Sequence, residues 1–246
     1  GTSRMVHRTQ GAFASSDRRS GHMSRALFVV SEEGYWAEEC IEPLTTLEDA
    51  GVEVTVVTPS GSAPVVDERS LDPDDVGEEA ADRFRDVHES HPVLRDPEPI
   101  ATVEAADYDA VVFPGGHGTV WDVTQDRHAR QLLLDTVAGD EGVALVVCHA
   151  VGILAFTREA DGSHLVEGRS VTGFPNAWEE GIVDEYDRLP DGRKLPYWVE
   201  DEVRLAGGEW DAELDADTSV TVDGDLLTAR GPPSSAAAAA TLLERL

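Results

Sequence analysis

Four short apolar runs, three of them followed by a stretch with helical spacing, constrain this chain more than any other feature. Ala26–Val30, Val52–Val57, Asp109–Phe113 and Val143–Val147 carry few polar residues. A strand with one face in water alternates apolar and polar side chains. A strand that stays apolar throughout is covered on both faces, as parallel strands flanked by helices are. Trp36–Ala50 has apolar residues at helical period and stops at Gly51, a helix-ending residue. Asp126–Ala138 reads as a second helix and Ala150–Phe156 as a short apolar one. Strand–helix alternation of this kind predicts an α/β chain with a parallel sheet between two helical layers.

Two stretches interrupt the pattern. Residues 59–99 are polar and contain Pro64, Pro73, Pro92, Pro97 and Pro99, with a helix expected over Glu78–Val87. They read as an insertion between the second and third strands. Residues 176–206 hold Trp178, Tyr186, Tyr197 and Trp198 among acids and predict two helices. Two short strands, Ser219–Val222 and Leu226–Thr228, and a helix over Ser234–Leu246 complete the chain. Residues 1–24 differ from the rest: four arginines stand against the single acid Asp17, with no apolar signal-peptide core. They read as a disordered leader or a cloning remnant before Met23, leaving 25–246 as one α/β domain.

Charge narrows the partners. The 246 residues hold 49 acids against 19 bases, a formal net charge of −30, and Lys194 is the single lysine. Such a surface repels nucleic-acid backbones and anionic lipids, so neither nucleic acid nor membrane is an expected partner. Near-absence of lysine with abundant Asp and Glu predicts a halophilic protein, because screening contracts to ~3 Å at 1 M salt and self-repulsion fades. Two cysteines, Cys40 and Cys148, make no disulfide framework, which predicts a reducing, cytoplasmic setting.

Open α/β sheets bind ligands beyond the carboxyl ends of their strands. Three such ends meet there: Ser31 onward, the Pro114–Gly118 segment (PGGHG), and Cys148-His149. A cysteine at a sharp strand-to-helix turn projects above the sheet, and the helix N-terminus is expected to favour its thiolate. His149 is a candidate base that needs an orienting carboxylate, and the many acids leave that partner open. The side-chain-poor Pro114–Gly118 loop offers backbone N–H groups that can stabilise an oxyanion. Glu38-Glu39 opens the first helix and can reach the same cleft, although acids are ordinary at helix N-termini. Cys40 reads as packing. His88-x-x-His91 has the residue types of a metal site, but its setting in a polar insertion favours a solvated loop, and no metal is expected.

Together these motifs resemble the ThiJ/PfpI superfamily, and within it the branch of heat-shock chaperones also called glyoxalase III. The resemblance runs from about residue 25 to 230 and rests on Glu39 with Pro43, Ala50-Gly51, Tyr108–Gly118, Val147–His149, Glu167–Pro175 and Leu195–Glu202. It implies a flavodoxin-like three-layer α/β sandwich with a mostly parallel central sheet, of the class I glutamine amidotransferase type. It implies Cys148 as nucleophile, His149 as general base, Glu39 as proton holder, and Glu179 as the third acid, five residues beyond Phe174. It further implies an oxyanion hole from the N–H groups of Gly116 and His149, with Gly115, His117 and Ala150 at the substrate. Ala150 departs from the glycine usual in the family, which leaves substrate size open. The implied reaction is cofactor-free conversion of methylglyoxal to D-lactate, in a homodimer whose further partners would be unfolded or glycated proteins.

Four other readings stand beside this one. A glutamine amidotransferase needs a His-x-Glu pair downstream, and His164 is followed by Leu165 and Val166. A cysteine peptidase or amidase uses the same residue types. A holdase chaperone requires an exposed apolar patch, for which Val65-Val66 and the aromatics of 176–206 are candidates. A redox sensor requires an accessible, readily oxidised thiol.

Overall fold

A computed structural model describes residues 22–140, 142–211 and 219–246. Most of the expected leader, residues 1–21, lies outside the described residues. A seven-stranded sheet runs in the order β3-β2-β1-β4-β5-β9-β8. Its strands are β1 (Arg25–Val29), β2 (Glu53–Thr58), β3 (Glu98–Pro99), β4 (Ala110–Phe113), β5 (Val143–Val147), β8 (Val220–Asp223) and β9 (Leu226–Ala229). All neighbours are parallel except the β8–β9 hairpin. A separate parallel pair joins β6 (Ser170–Val171) to β7 (Glu209–Trp210).

The apolar runs are explained by coverage on both sides. Along β1, Ala26 and Phe28 enter one core and Leu27 and Val29 the other; β4 and β5 alternate likewise. The first core is filled by helices α1 (Ala37–Asp49), α3 (Glu78–Ser90) and α9 (Ser235–Leu243). The second is filled by α5 (Arg127–Val137), α6 (Ile153–Phe156) and α8 (Val199–Leu205). The result is the three-layer, flavodoxin-like sandwich of class I glutamine amidotransferases. Asp126 caps α5, its side chain accepting from the N–H groups of His128 and Ala129. Among the described residues no helix is long and apolar enough to cross a membrane.

Several local expectations are corrected. Residues 59–99 contain α2 (Pro73–Val76), α3 and α4 (Pro92–Arg95), and their last two residues add β3 to the sheet edge beside Val57 and Thr58. Sequence periodicity missed so short a strand. The expected helix over Ala150–Phe156 begins earlier, as a 3-10 turn at Cys148–Gly152 that becomes α6. In 176–206 the two helices are short, α7 (Asn176–Glu179) and α8, separated by an irregular stretch closed by an Arg188–Lys194 bridge.

Candidate active site

Parallel pairing of β1, β4 and β5 brings the ends Val29, Phe113 and Val147 to one edge of the sheet. Cys148 follows β5 directly and adopts φ 59°. Left-handed backbone is costly for a side chain bearing Cβ and persists where the surroundings impose it. This elbow turns the sulfur back over its own neighbour: Cys148 Sγ lies 3.3 Å from His149 Nδ1.

The far side of that ring is fixed as well. His149 Nε2 meets Glu179 Oε2 at 2.5 Å. A carboxylate only accepts, so Nε2 carries the proton and Nδ1 is left to accept from the thiol. Phe174 stacks on the His149 ring at 4.2 Å. Glu179 ends the short helix α7 and accepts from a second imidazole, His117 Nε2, at 2.7 Å. Burial alone would raise this carboxyl, but the two imidazole donors and their fields hold it down at about 2.

Glu39 sits in the first turn of α1 and is fully buried. Pro43, four residues on, lacks the N–H that the Glu39 carbonyl would otherwise accept. The Glu39 carboxyl faces the Cys148 thiol and the backbone of Gly115, and burial pushes it up to about 8. It is therefore mostly protonated at neutral pH. Gly115 is what permits this approach: a Cβ there would stand 2.5 Å from Glu39 Oε1 and 2.7 Å from Cys148 Cβ. Gly116 has φ 109°, and a Cβ on it would meet the Gly34 carbonyl at 2.5 Å and the Trp36 nitrogen at 2.6 Å.

The expectation of a helix-stabilised thiolate is reversed. Burial first, and then the Glu39 carboxyl, push the Cys148 thiol well above its ordinary range, while the His149 backbone N–H pulls less strongly the other way. Only a 3-10 turn follows the sulfur, and its weak dipole does not offset complete desolvation. Cys148 rests as a thiol beside its base.

Cys148, His149, Glu179 and Glu39, the four side chains named in the sequence, thus converge, with Gly115 and Gly116 against them. Two other residues stand differently from expectation. Both ring nitrogens of His117 are engaged, Nε2 with Glu179 and Nδ1 with Arg69 at 3.0 Å, so the ring backs the acid and leaves no nitrogen for a substrate. Ala150 is fully buried in the second core, where its methyl packs among apolar side chains. Donor atoms of His117, His149 and Glu179 lie within 4.8 Å of one another. Each carboxylate oxygen is already taken by one imidazole, so this is a hydrogen-bonded network and not an open donor set. His88 and His91 turn to separate partners, Tyr35 Oη at 2.6 Å and Glu48 Oε1 at 2.7 Å. Cys40 is buried in the first core, as packing requires. Sequence reasoning did not assign Phe174 or Arg69 a place at the site, because neither spacing nor composition distinguishes them.

Known proteins share this arrangement of elements. A glutathione-independent glyoxalase, HSP31 of Saccharomyces cerevisiae, is 28% identical over 228 residues, covering 88% of this chain and 90% of its own. A protein/nucleic acid deglycase, HchA of Staphylococcus aureus, is 27% identical over 158 residues, 62% of this chain and 52% of its own. The crystal structure of glyoxalase III from Candida albicans superposes with a TM-score of 0.74 at 21% identity, covering 92% of this chain and 98% of that one. The DJ-1/PfpI family model matches residues 24–245, and the chain belongs to the DJ-1/PfpI family.

Proposed function

We propose that this protein is a cofactor-independent cysteine enzyme of the glyoxalase III type, converting small α-oxoaldehydes such as methylglyoxal to D-lactate. The observation that carries this reading is the pairing of Cys148 Sγ with His149 Nδ1 at 3.3 Å, beside a fully buried Glu39 that holds a proton. Glyoxalase relatives on the same fold support it. Protein deglycase action is the adjoining reading, supported by a relative of that name.

The steps close on themselves. His149 takes the thiol proton as sulfur bonds to the aldehyde carbon, and Glu39 gives its proton to the aldehyde oxygen, forming a hemithioacetal. The Glu39 carboxylate then removes the proton on that carbon while protonated His149 protonates the neighbouring carbonyl oxygen, giving an enediol. Glu39 returns its proton to the second carbon, and His149 takes the proton of the first hydroxyl, leaving a lactoyl thioester. Water attacks the thioester as Glu39 takes a water proton and His149 reprotonates the departing sulfur. Methylglyoxal and water become lactate, and every group returns to its starting state. Backbone N–H groups of Gly116 and His149 would hold the oxygen that gains charge. Cys148, His149 and Glu179 are at most 3% exposed, which suits a small substrate.

The acid-quenched wild type incubated with methylglyoxal should carry a lactoyl thioester on Cys148, seen by peptide mass spectrometry and absent from Cys148→Ser. Turnover without any such adduct would overturn the covalent route. We further propose a cytoplasmic homodimer. Glycated proteins are candidate further substrates, and similarity to a protein/nucleic acid deglycase makes glycated nucleic acid an arm of the same assay. A holdase role draws less support: of the candidate patch residues Val66 is buried and Trp178, Tyr197 and Trp198 are partly buried, leaving Val65 and Tyr186 exposed.

A further inference from the structure

Behind Glu179 the polar network continues outward. His117 Nδ1 meets Arg69 Nη2 at 3.0 Å, and Arg69 grips Asp67 through Nε at 3.1 Å and Nη2 at 2.7 Å. Asp67 also accepts from the Arg69 backbone N–H at 3.0 Å, so residue and partner are fixed in one turn. The Arg69 guanidinium lies over the Trp36 ring at 5.6 Å. Asp67 and Arg69 come from the polar stretch after β2, far in sequence from the elbow.

The chemistry of this contact allows one assignment. A guanidinium has no acceptor and keeps its protons in proteins. His117 Nδ1 must therefore accept, and its single proton lies on Nε2, directed at Glu179. The positive charge of Arg69 also opposes a second proton on the ring. His117 sits within reach of Arg69, Glu179 and the His149 ring, whose centroid is 3.9 Å away, with Asp67 beyond Arg69 and Phe174 at its edge. The charge of Asp191 also acts on Arg69.

We propose that Arg69 is a positioning residue that locks His117 as a neutral Nε2–H donor, so that Glu179 is steered by two rings but neutralised by neither and keeps its charge for His149. Without Arg69 the ring loses the donor that occupies Nδ1 and one of the charges opposing a second proton there, and any imidazolium on Glu179 would compete with the imidazolium that forms on His149 during attack. Burial and the neighbouring His149, with Arg69, already depress His117 to about 4, against the pull of Glu179.

This inference rests on Cys148 and His149 acting as the reactive pair, and its test separates the two. Nitrogen NMR of ring-labelled protein reads the His117 protonation state directly. The wild type should show Nε2 protonated and Nδ1 as acceptor from pH 8 down to pH 5. Arg69→Met should raise the pH at which Nδ1 gains a proton, slow iodoacetamide alkylation of Cys148 and lower kcat for lactate formation about 10- to 100-fold with little change in KM. Arg69→Lys, which again supplies a cation without an acceptor, should recover most of both rates. A proton on Nδ1 in the wild type at neutral pH overturns the inference, and this needs no variant to fold. So does an Arg69→Met protein whose His117 titrates as in the wild type and whose alkylation is unchanged. If methylglyoxal is not turned over but the NMR and alkylation results hold, the substrate reading fails and the role of Arg69 stands.

Discussion

Cys148 and His149 are chain neighbours, yet the sulfur of one faces Nδ1 of the other at 3.3 Å, because Cys148 holds a left-handed φ of 59°. A base adjacent in sequence to its nucleophile ordinarily points away from it. The elbow removes that problem, and Glu179 completes the orientation from the far side of the ring.

Glu179→Gln keeps the shape of the acid but removes the charge that two imidazoles share. Its amide can satisfy only one ring through its carbonyl. Lactate formation should fall on the order of 10²- to 10⁴-fold, as when an orienting acid is lost from a triad, while circular dichroism shows a folded protein. An activity within twofold of wild type would remove Glu179 from the mechanism.

Gly115→Ala tests the close approach of three elements. Its methyl would overlap Glu39 Oε1 and the Val147 carbonyl as well as Cys148 Cβ. The variant should melt earlier by several degrees, consistent with roughly 1–3 kcal/mol for overpacking, and be inactive even where folded.

The raised pKa of Glu39 has a consequence for stability. Its folded value, about 8, lies above its ordinary 4.5. The folded state therefore holds the proton more tightly, and the stability this contributes is complete below pH 4.5 and lost as pH rises through 8. Glu39→Gln cannot ionise, so its melting temperature should fall less between pH 5 and pH 8.5 than that of the wild type. Parallel curves for the two proteins would contradict a buried, protonated Glu39.

A net charge of −30 predicts that salt stabilises the fold. The melting midpoint should rise steadily from dilute buffer to multi-molar KCl, and association into the proposed homodimer, followed by light scattering, should strengthen with it. A midpoint independent of salt would remove the halophilic reading.

Legibility in the sequence followed the range of the interaction. Ala26–Val30 and Val143–Val147 announced themselves because burial on both faces leaves a local, uninterrupted apolar signal. Cys148 and the Pro114–Gly118 loop were legible because an open sheet has one functional edge. Glu179 was reachable only through a resemblance, since nothing local marks one acid among 49. Arg69 was invisible, because its partner His117 lies 48 residues away and the contact exists only after folding. The resemblance implied His117 at the substrate, but tertiary partners claim both of its nitrogens. The resting thiolate was expected from a helix end, and complete desolvation outweighed that short-range field.

Lactate formation from methylglyoxal in high salt without added thiol, compared across wild type, Cys148→Ala and Glu39→Gln, probes cysteine catalysis most directly. The wild type should produce D-lactate, Cys148→Ala none above the uncatalysed rate, and Glu39→Gln on the order of 10²- to 10⁴-fold less than wild type, as expected for losing a positioned proton carrier. Equal rates for all three would contradict a covalent mechanism at Cys148.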